Sequence, residues 1–332
     1  MSLWPVYTGT SRPHDAIDQL PPPPPWRAFD GGPALPVPAE DDASSPDRTH
    51  RAQTYQPTEK SVQLVNAALY LRRPLLVTGP PGSGKSSLPY AVARELRLGP
   101  VLRWNITSRA TLADGLYQYD PLSRLYAAGR RPEDSDVEHH LRLGPLGTAL
   151  LPYERPRVLL VDEIDKSDLD LPNDLLNILE EGQFEIPELT RVARTHPEAN
   201  VMTADSEERA PVRHGRVRCR AFPLVVLTSN GEREFPPAFL RRCVTLELKQ
   251  PLPAHLEDIV RAHLGELDDE ARALISAFLA KGSGGELATD QLLNAVYLTR
   301  AAGLDASSSE VLAEYLMPYL SSHADLLDSD EL

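Results

Sequence analysis

The sequence predicts an α/β domain built on a parallel central sheet, followed by a small all-helical domain. Three observations carry that expectation. The runs at 74–78, 158–161 and 223–228 are almost wholly apolar, as strands covered on both faces are. The first of them leads into Gly79-Pro80-Pro81-Gly82-Ser83-Gly84-Lys85-Ser86, which fits the phosphate-loop pattern G-x-x-x-x-G-K-[ST], with Leu88, Val92, Ala93 and Leu96 at helical spacing behind it. From Pro251 the pattern changes to helical stripes alone.

Composition narrows the classes. A chain of 332 residues holds about two domains. The net charge of -14 argues against a main role in gripping nucleic acid, which needs clustered Lys and Arg. Cys219 and Cys243 lack the spacing of a disulfide framework or a zinc site and read as reduced, which places the protein in the cytoplasm. The N-terminal residues carry no continuous apolar core and no run approaches the roughly 18 apolar residues of a membrane helix. Neither a signal peptide nor a membrane span is expected.

Taken in order, residues 1–57 form a proline-rich arm with five consecutive prolines at 21–25. Proline favours extended polyproline II over helix or central strand. Trp4, Trp26 and Phe29 either dock the arm on a neighbour or partner, or wrap it on its own domain. A helix over 59–71 follows, capped by Thr58, with Val62, Val65 and Leu69 on one face. It is expected beside a nucleotide's base.

In the phosphate loop, glycines let backbone N-H groups approach a phosphate chain. Gly79, Pro80, Pro81, Gly82, Ser83, Gly84, Lys85 and Ser86, with Ser87 beside them, are therefore the nucleotide-binding set. Lys85 would reach the β and γ phosphates of ATP and the Ser86 hydroxyl would ligate Mg²⁺. Pro89 is expected to bend the following helix locally. A second strand spans 100–106. Leu116, Tyr117 and Tyr119 then lie in a compact segment, and 130–140 reads as an exposed insert in which His139 and His140 point apart.

The apolar run at 158–161 ends in Asp162-Glu163, the Walker B pattern. Asp162 would complete the Mg²⁺ shell, and Glu163 would orient and deprotonate an attacking water. A helix carrying Leu175, Leu176 and Leu179 follows. Between 183 and 221 the spacing of Phe184, Ile186, Val217 and Cys219 predicts a two-stranded hairpin with a charged tip. The strand at 223–228 ends in Ser229-Asn230, and the Asn230 amide is placed to position the water. Arg241 and Arg242 follow a short apolar segment, as solvated charges or as a guanidinium reaching a neighbour's γ-phosphate. The helical region, 251–322, carries four stripes with a glycine-rich joint near 281–285, before an acidic tail at 323–332.

With these parts in this order, the chain resembles an AAA+ ATPase over roughly residues 58–320, and within that superfamily the MoxR-type branch. The resemblance rests on residues 78–86, on Leu160-Val161-Asp162-Glu163-Ile164-Asp165-Lys166, on the helix and hairpin after it, and on Leu227-Thr228-Ser229-Asn230. It implies an αβα sandwich with a helical lid, Mg²⁺-dependent ATP hydrolysis, and a ring, usually a hexamer, with ATP between subunits. It further implies Asn230 as the sensor 1 residue, Arg242 rather than Arg241 as the arginine finger, and residues 115–120 facing a central pore. A protein client is implied, beside a partner carrying a von Willebrand factor A domain. The chain departs from the pattern at Gln291, where the lid often supplies a sensor 2 arginine; Lys281 or Arg300 are the alternatives. Two other functions fit the same residues: a nucleotide-gated scaffold with incidental turnover, and a DNA-directed motor, which the net charge opposes.

Overall fold

The computed structural model describes residues 4–39, 45–130, 136–168, 170–205, 208–282, 288–302 and 315–316. In chain order its strands are β1 (Leu75–Thr78), β2 (Leu102–Asn105), β3 (Tyr117–Tyr119), β4 (Leu141–Leu143), β5 (Val158–Asp162), β6 (Gln183–Glu185), β7 (Glu198–Met202), β8 (Arg209–Arg213), β9 (Arg216–Arg218), β10 (Leu224–Ser229) and β11 (Val244–Glu247). The central sheet is parallel throughout, in the order β11-β1-β10-β5-β2. Because side chains alternate along a strand, Leu75, Val77, Leu160 and Val226 face the helix Leu88–Glu95 that follows the phosphate loop. Leu76, Leu159, Val161 and Leu227 face Leu146, Leu175 and Leu179 on the other side. Both faces are covered, which is why these strands read as unbroken apolar runs. This is the αβα sandwich on a parallel central sheet that the sequence predicts.

The β10-β5-β2 register carries the consequence for function. Asp162 lies on the same face as Leu160, toward the phosphate-loop helix, and Asn105 on β2 pairs with it. The helix starts later than its apolar spacing suggests. Residues 84–87 form a turn, with the Ser87 and Leu88 N-H groups both donating to the Gly84 carbonyl, and regular helix begins at Leu88. Pro89 thus falls in the first turn, where its missing N-H has no intrahelical partner to lose. The bend expected there has no cause.

Residues 183–218 hold more than a two-stranded hairpin. A six-stranded sheet in the order β3-β4-β7-β8-β9-β6 packs beneath the central one. The charged stretch after β6 contains the helix Pro187–Val192 and two further strands, β7 and β8. Each of these is only five residues long and buries two side chains, Ala199 and Val201 on one, Ala210 and Val212 on the other. Those short alternations are diluted by the charges around them. Tyr117 and Tyr119 form β3 of the same sheet; Tyr117 stacks on Phe184 at 6.5 Å and donates to the Glu188 carboxylate. The insert is in part buried as well, since Val137 joins the core.

The arm folds on its own domain. Its prolines do not prevent a helix, Pro46–Thr54, because Pro46 sits at the helix start where proline is tolerated. Val6, Tyr7 and Ile17 are buried. The Asn66 side chain accepts from the Val6 and Tyr7 N-H groups and donates to the Tyr7 carbonyl. Trp4 meets Tyr70 edge-on and Phe29 stacks on Phe222, while Trp26 is 77% exposed. Arg27 donates to the carbonyls of Arg72, Leu179 and Glu180 and lies 4.6 Å from the centre of the Phe222 ring.

The strongest anchor of the arm is Glu95, whose side chain is fully buried. Its carboxylate accepts from the backbone N-H groups of Thr8, Gly9, Thr10 and Ser11, and from the Thr8 hydroxyl. His14 Nε2 lies 3.2 Å away. Replacing Glu95 by alanine strands those donors in the interior. Glu95→Ala is therefore expected to lower unfolding free energy by about 3–5 kcal/mol, read by urea denaturation of the full chain. An unchanged midpoint and slope would show that the arm is not held this way.

The lid consists of the helices Pro253–Leu264, Asp269–Gly282 and Thr289–Ala302 around Leu256, Val260, Ile275, Phe278, Leu292 and Val296. Of the predicted fourth stripe, Val311 and Leu312 lie outside the described residues while Tyr315 and Leu316 are helical; the acidic tail and 283–285 of the glycine-rich joint also lie outside them. Among the described residues no helix is long and apolar enough to cross a membrane.

Candidate nucleotide-binding site

The phosphate loop joins β1 to its helix, and its glycines are dictated by what surrounds them. Gly79 has φ +152° and an added Cβ would stand 2.3 Å from the Leu248 carbonyl oxygen. Gly82, at φ +72°, would place a Cβ 2.8 Å from both the Asp290 carboxylate and the Thr289 backbone nitrogen. The loop is thus wedged between the exit of β11 and the start of the lid helix Thr289–Ala302. The Ser83 hydroxyl is buried without a hydrogen-bond partner among the described residues. Lys85 turns its ammonium inward, onto the carbonyls of Gly79 at 2.7 Å and Pro80 at 2.8 Å. Burial pushes Lys85 below the ordinary lysine value, against the pull of Asp165, Asp162 and Glu163.

Asp162 is the centre of the arrangement. Its Oδ1 accepts from the Ser86 and Thr228 hydroxyls, both at 2.7 Å, and its Oδ2 accepts from the Arg103 guanidinium at 2.7 Å. Burial alone would raise its pKa; the donors from Thr228, Ser86 and Arg103 bring it below the ordinary carboxylate value. The carboxylate is ionised and aimed. The donor set suits a hard cation, which takes oxygen ligands, since Ser86 Oγ and Asp162 Oδ1 converge on one point beside the loop. Those two residues would hold Mg²⁺.

Glu163 follows in the left-handed region, at φ 61° and ψ 50°, a conformation that costs a non-glycine residue on the order of 1 kcal/mol or more. Its N-H donates to Thr228 Oγ1 at 2.9 Å. Thr228 therefore orders both acids, donating to one and accepting from the backbone of the next. The Glu163 carboxylate accepts from Lys166 at 2.9 Å and is 43% exposed. Asn230 stands at the end of β10, its N-H donating to Asp165 Oδ2 at 2.9 Å, which the Glu232 N-H also reaches at 3.2 Å. Asp165 is buried, so one carboxylate fixes the loop that presents Asn230.

These residues share one cavity of about 1120 Å³. Gly82 to Ser87, Arg103, Asp162, Glu163, Thr228 and Asn230 form its floor. Thr58 and Lys60, at the start of the helix Glu59–Leu71, line it as well. The arm helix contributes His50 and Thr54, with Tyr55 directly after it, and the lid contributes Ile259, His263 and Leu293. Arm and lid touch each other there, with Thr54 Oγ1 3.0 Å from His263 Nε2 and the His50 and His263 rings 5.1 Å apart. A smaller cavity of about 670 Å³ lies under Pro21 to Pro23 near the start of β10, away from every residue expected to do chemistry.

The structure thus brings together the loop residues Gly82 to Ser87 with Asp162, Glu163 and Asn230. Arg242 is not in this cavity. Its guanidinium is engaged by Glu180 and by the Ala238 carbonyl at 3.1 Å. Arg241 is exposed and likewise outside the cavity. Gln291 turns back on its own helix, its Oε1 accepting from the Ala288 N-H at 2.9 Å. Arg300 is committed to Asp268 and to the carbonyls of Leu264 and Glu266 and does not line the cavity. Sequence reasoning gave no role to Arg103, Asp165 or Thr228. A signal existed for the first: Arg103 is a lone charge inside an apolar strand, next to the strand that ends in Asp162.

No curated protein matches the chain. Among solved structures it is similar to NtrX from Brucella abortus in complex with ADP, at 19% identity and TM-score 0.40, over 86% of this chain and 60% of that one. The same protein in complex with ATP matches at 18% identity and TM-score 0.36, over 81% and 55%. The chain spans less than two thirds of the length of either. Residues 74–243, from the first residue before β1 through Cys243, match the model of the AAA domain of the dynein-related subfamily. That is just over half of the chain, so this protein belongs to the dynein-related AAA domain family.

Proposed function

We propose that this chain is a Mg²⁺-dependent ATPase of MoxR-like character that works as a ring and drives remodelling of a protein client. The observation that carries the reading is the convergence of Ser86, Asp162, Thr228 and Glu163 on one end of the phosphate loop. Mg²⁺, when bound, neutralises charge developing on the phosphates. The loop N-H groups and Lys85 hold the phosphate chain, Glu163 accepts the proton of the attacking water, and Asn230 orients that water. The arm helix and the lid enclose the remainder of the nucleotide.

Neither Arg241 nor Arg242 lines the cavity, so either would act only on a neighbouring copy's nucleotide. In a ring that copy would add one of them to the cations that this chain itself places there, where charge develops on the transferring phosphoryl group. Turnover per chain should therefore rise with protein concentration, and Arg241→Ala and Arg242→Ala each separate the two candidates by phosphate release. The finger variant loses about 10³-fold or more and the other stays near wild type. Turnover per chain that is constant over a thousandfold dilution, with both variants active, would overturn the assembly.

Tyr117 and Tyr119 pack against the core, so a client would be gripped instead by the helix Pro121–Arg130. There Leu122, Leu125 and Tyr126 are 65, 69 and 71% exposed. Exposed apolar groups of this size suit gripping of an unfolded polypeptide. A partner with a von Willebrand factor A domain rests on the resemblance to MoxR-type ATPases. The second reading, a nucleotide-gated scaffold, is favoured by the Glu163–Lys166 pair, which occupies the base, and by Gln291 capping its own helix.

A further inference from the structure

Of the cationic side chains that line the cavity outside the phosphate loop, among them Arg51, Lys60 and Lys249, Arg103 is the one bonded to Asp162. It lies on β2, two residues before Asn105, whose register partner is Asp162, and it runs along the sheet toward the strand ends. One nitrogen, Nη2, donates to Asp162 Oδ2. That oxygen is not the one shared with Ser86 and Thr228, so the bond to Arg103 does not obstruct the point where Ser86 and Asp162 converge. The guanidinium is a planar fork of five N-H donors, and no other hydrogen bond of its side chain is made among the described residues. It is 38% exposed and lines the cavity beside Lys85.

We propose that Arg103 is a phosphate-reading arginine acting within its own subunit: anchored through Nη2 on Asp162, it directs its free donors at the terminal phosphate of the bound triphosphate. The inference rests on reading the cavity as an ATP site. The chemistry favours an arginine here over a lysine. A bidentate or forked donor can hold a carboxylate and an anion at once in fixed directions, whereas an ammonium is a point charge on a flexible stem. The bond to Asp162 restricts the guanidinium before the nucleotide arrives, so less freedom is lost on binding.

The test is equilibrium binding of ADP and of a non-hydrolysed ATP analogue, each with Mg²⁺, to the full chain and to Arg103→Gln and Arg103→Lys. For Arg103→Gln the affinity for the ATP analogue is expected to fall by about 10- to 100-fold, as loss of a charged hydrogen bond gives, with ADP affinity within about threefold of wild type. Arg103→Lys is expected to lose part of the discrimination. Retained ADP binding also shows that the variant is folded. Equal losses for both nucleotides would overturn the proposal and leave Arg103 as a support for Asp162 alone; so would no loss for either. Wild-type protein that binds neither nucleotide would instead remove the ATP reading on which the inference stands.

Discussion

Glu163→Gln is expected to reduce phosphate release from ATP by about 10²–10⁴-fold, the range that a positioned general base contributes, while ATP binding stays within about threefold of wild type. Glutamine keeps the length and shape of the side chain but accepts no proton. The backbone around it should not move, because the left-handed turn at 163 is held by its N-H on Thr228 Oγ1, a bond the substitution leaves intact. The carboxylate is paired with Lys166 and would act on the water rather than hold the phosphate chain, so its neutralisation takes little from nucleotide binding. Turnover that survives within twofold would show that water is activated by another group, and the scaffold reading would gain from turnover absent in wild type as well.

Lys85→Ala is expected to act on binding itself. The ammonium sits on two loop carbonyls and is nearly buried, so it is confined next to the place where the phosphate chain would lie. Removing a charged donor from such a site costs about 1.5–3 kcal/mol, roughly 10- to 150-fold in Kd, for ADP and ATP alike. Arg103→Gln differs in sparing ADP. The contrast between the two variants separates a group that holds the whole phosphate chain from one that reads its end. The loop should survive the change: its shape is imposed by Gly79 against Leu248 and Gly82 against the lid. A folded Lys85→Ala protein with wild-type nucleotide affinity would contradict the site.

Most of what the sequence revealed concerns residues whose neighbours along the chain are their partners in space. The phosphate loop, the Asp162-Glu163 pair and the apolar strands are local patterns. The helix Glu59–Leu71, capped by Thr58 at 3.1 Å from the Ser61 nitrogen, is another. What escaped depends on distant segments meeting. Arg103 reaches Asp162 across 59 positions, and Thr228 reaches it across 66; the lone charge of Arg103 in its strand was a weak local hint, and nothing local distinguishes Thr228 from any strand-end threonine. The arm misled for a related reason. Its composition is that of an extended linker, yet a single buried carboxylate, Glu95, gathers residues 8–11 onto the domain. The second sheet was under-read because β7 and β8 each bury only two small side chains between charges. Arg242 marks a different limit, since a residue that would act on a neighbour's nucleotide has no local pattern and no contact in its own cavity to declare it.

The central claim is that the cavity floored by the phosphate loop, Asp162 and Glu163 holds a nucleoside triphosphate. Isothermal titration of the full chain with ATP in the presence of Mg²⁺ tests it most directly. The expected result is saturable binding at one site per chain, weakened roughly 10- to 150-fold by Lys85→Ala. Folded wild-type protein that shows no saturable binding up to millimolar ATP, or binding that Lys85→Ala leaves unchanged, would contradict it.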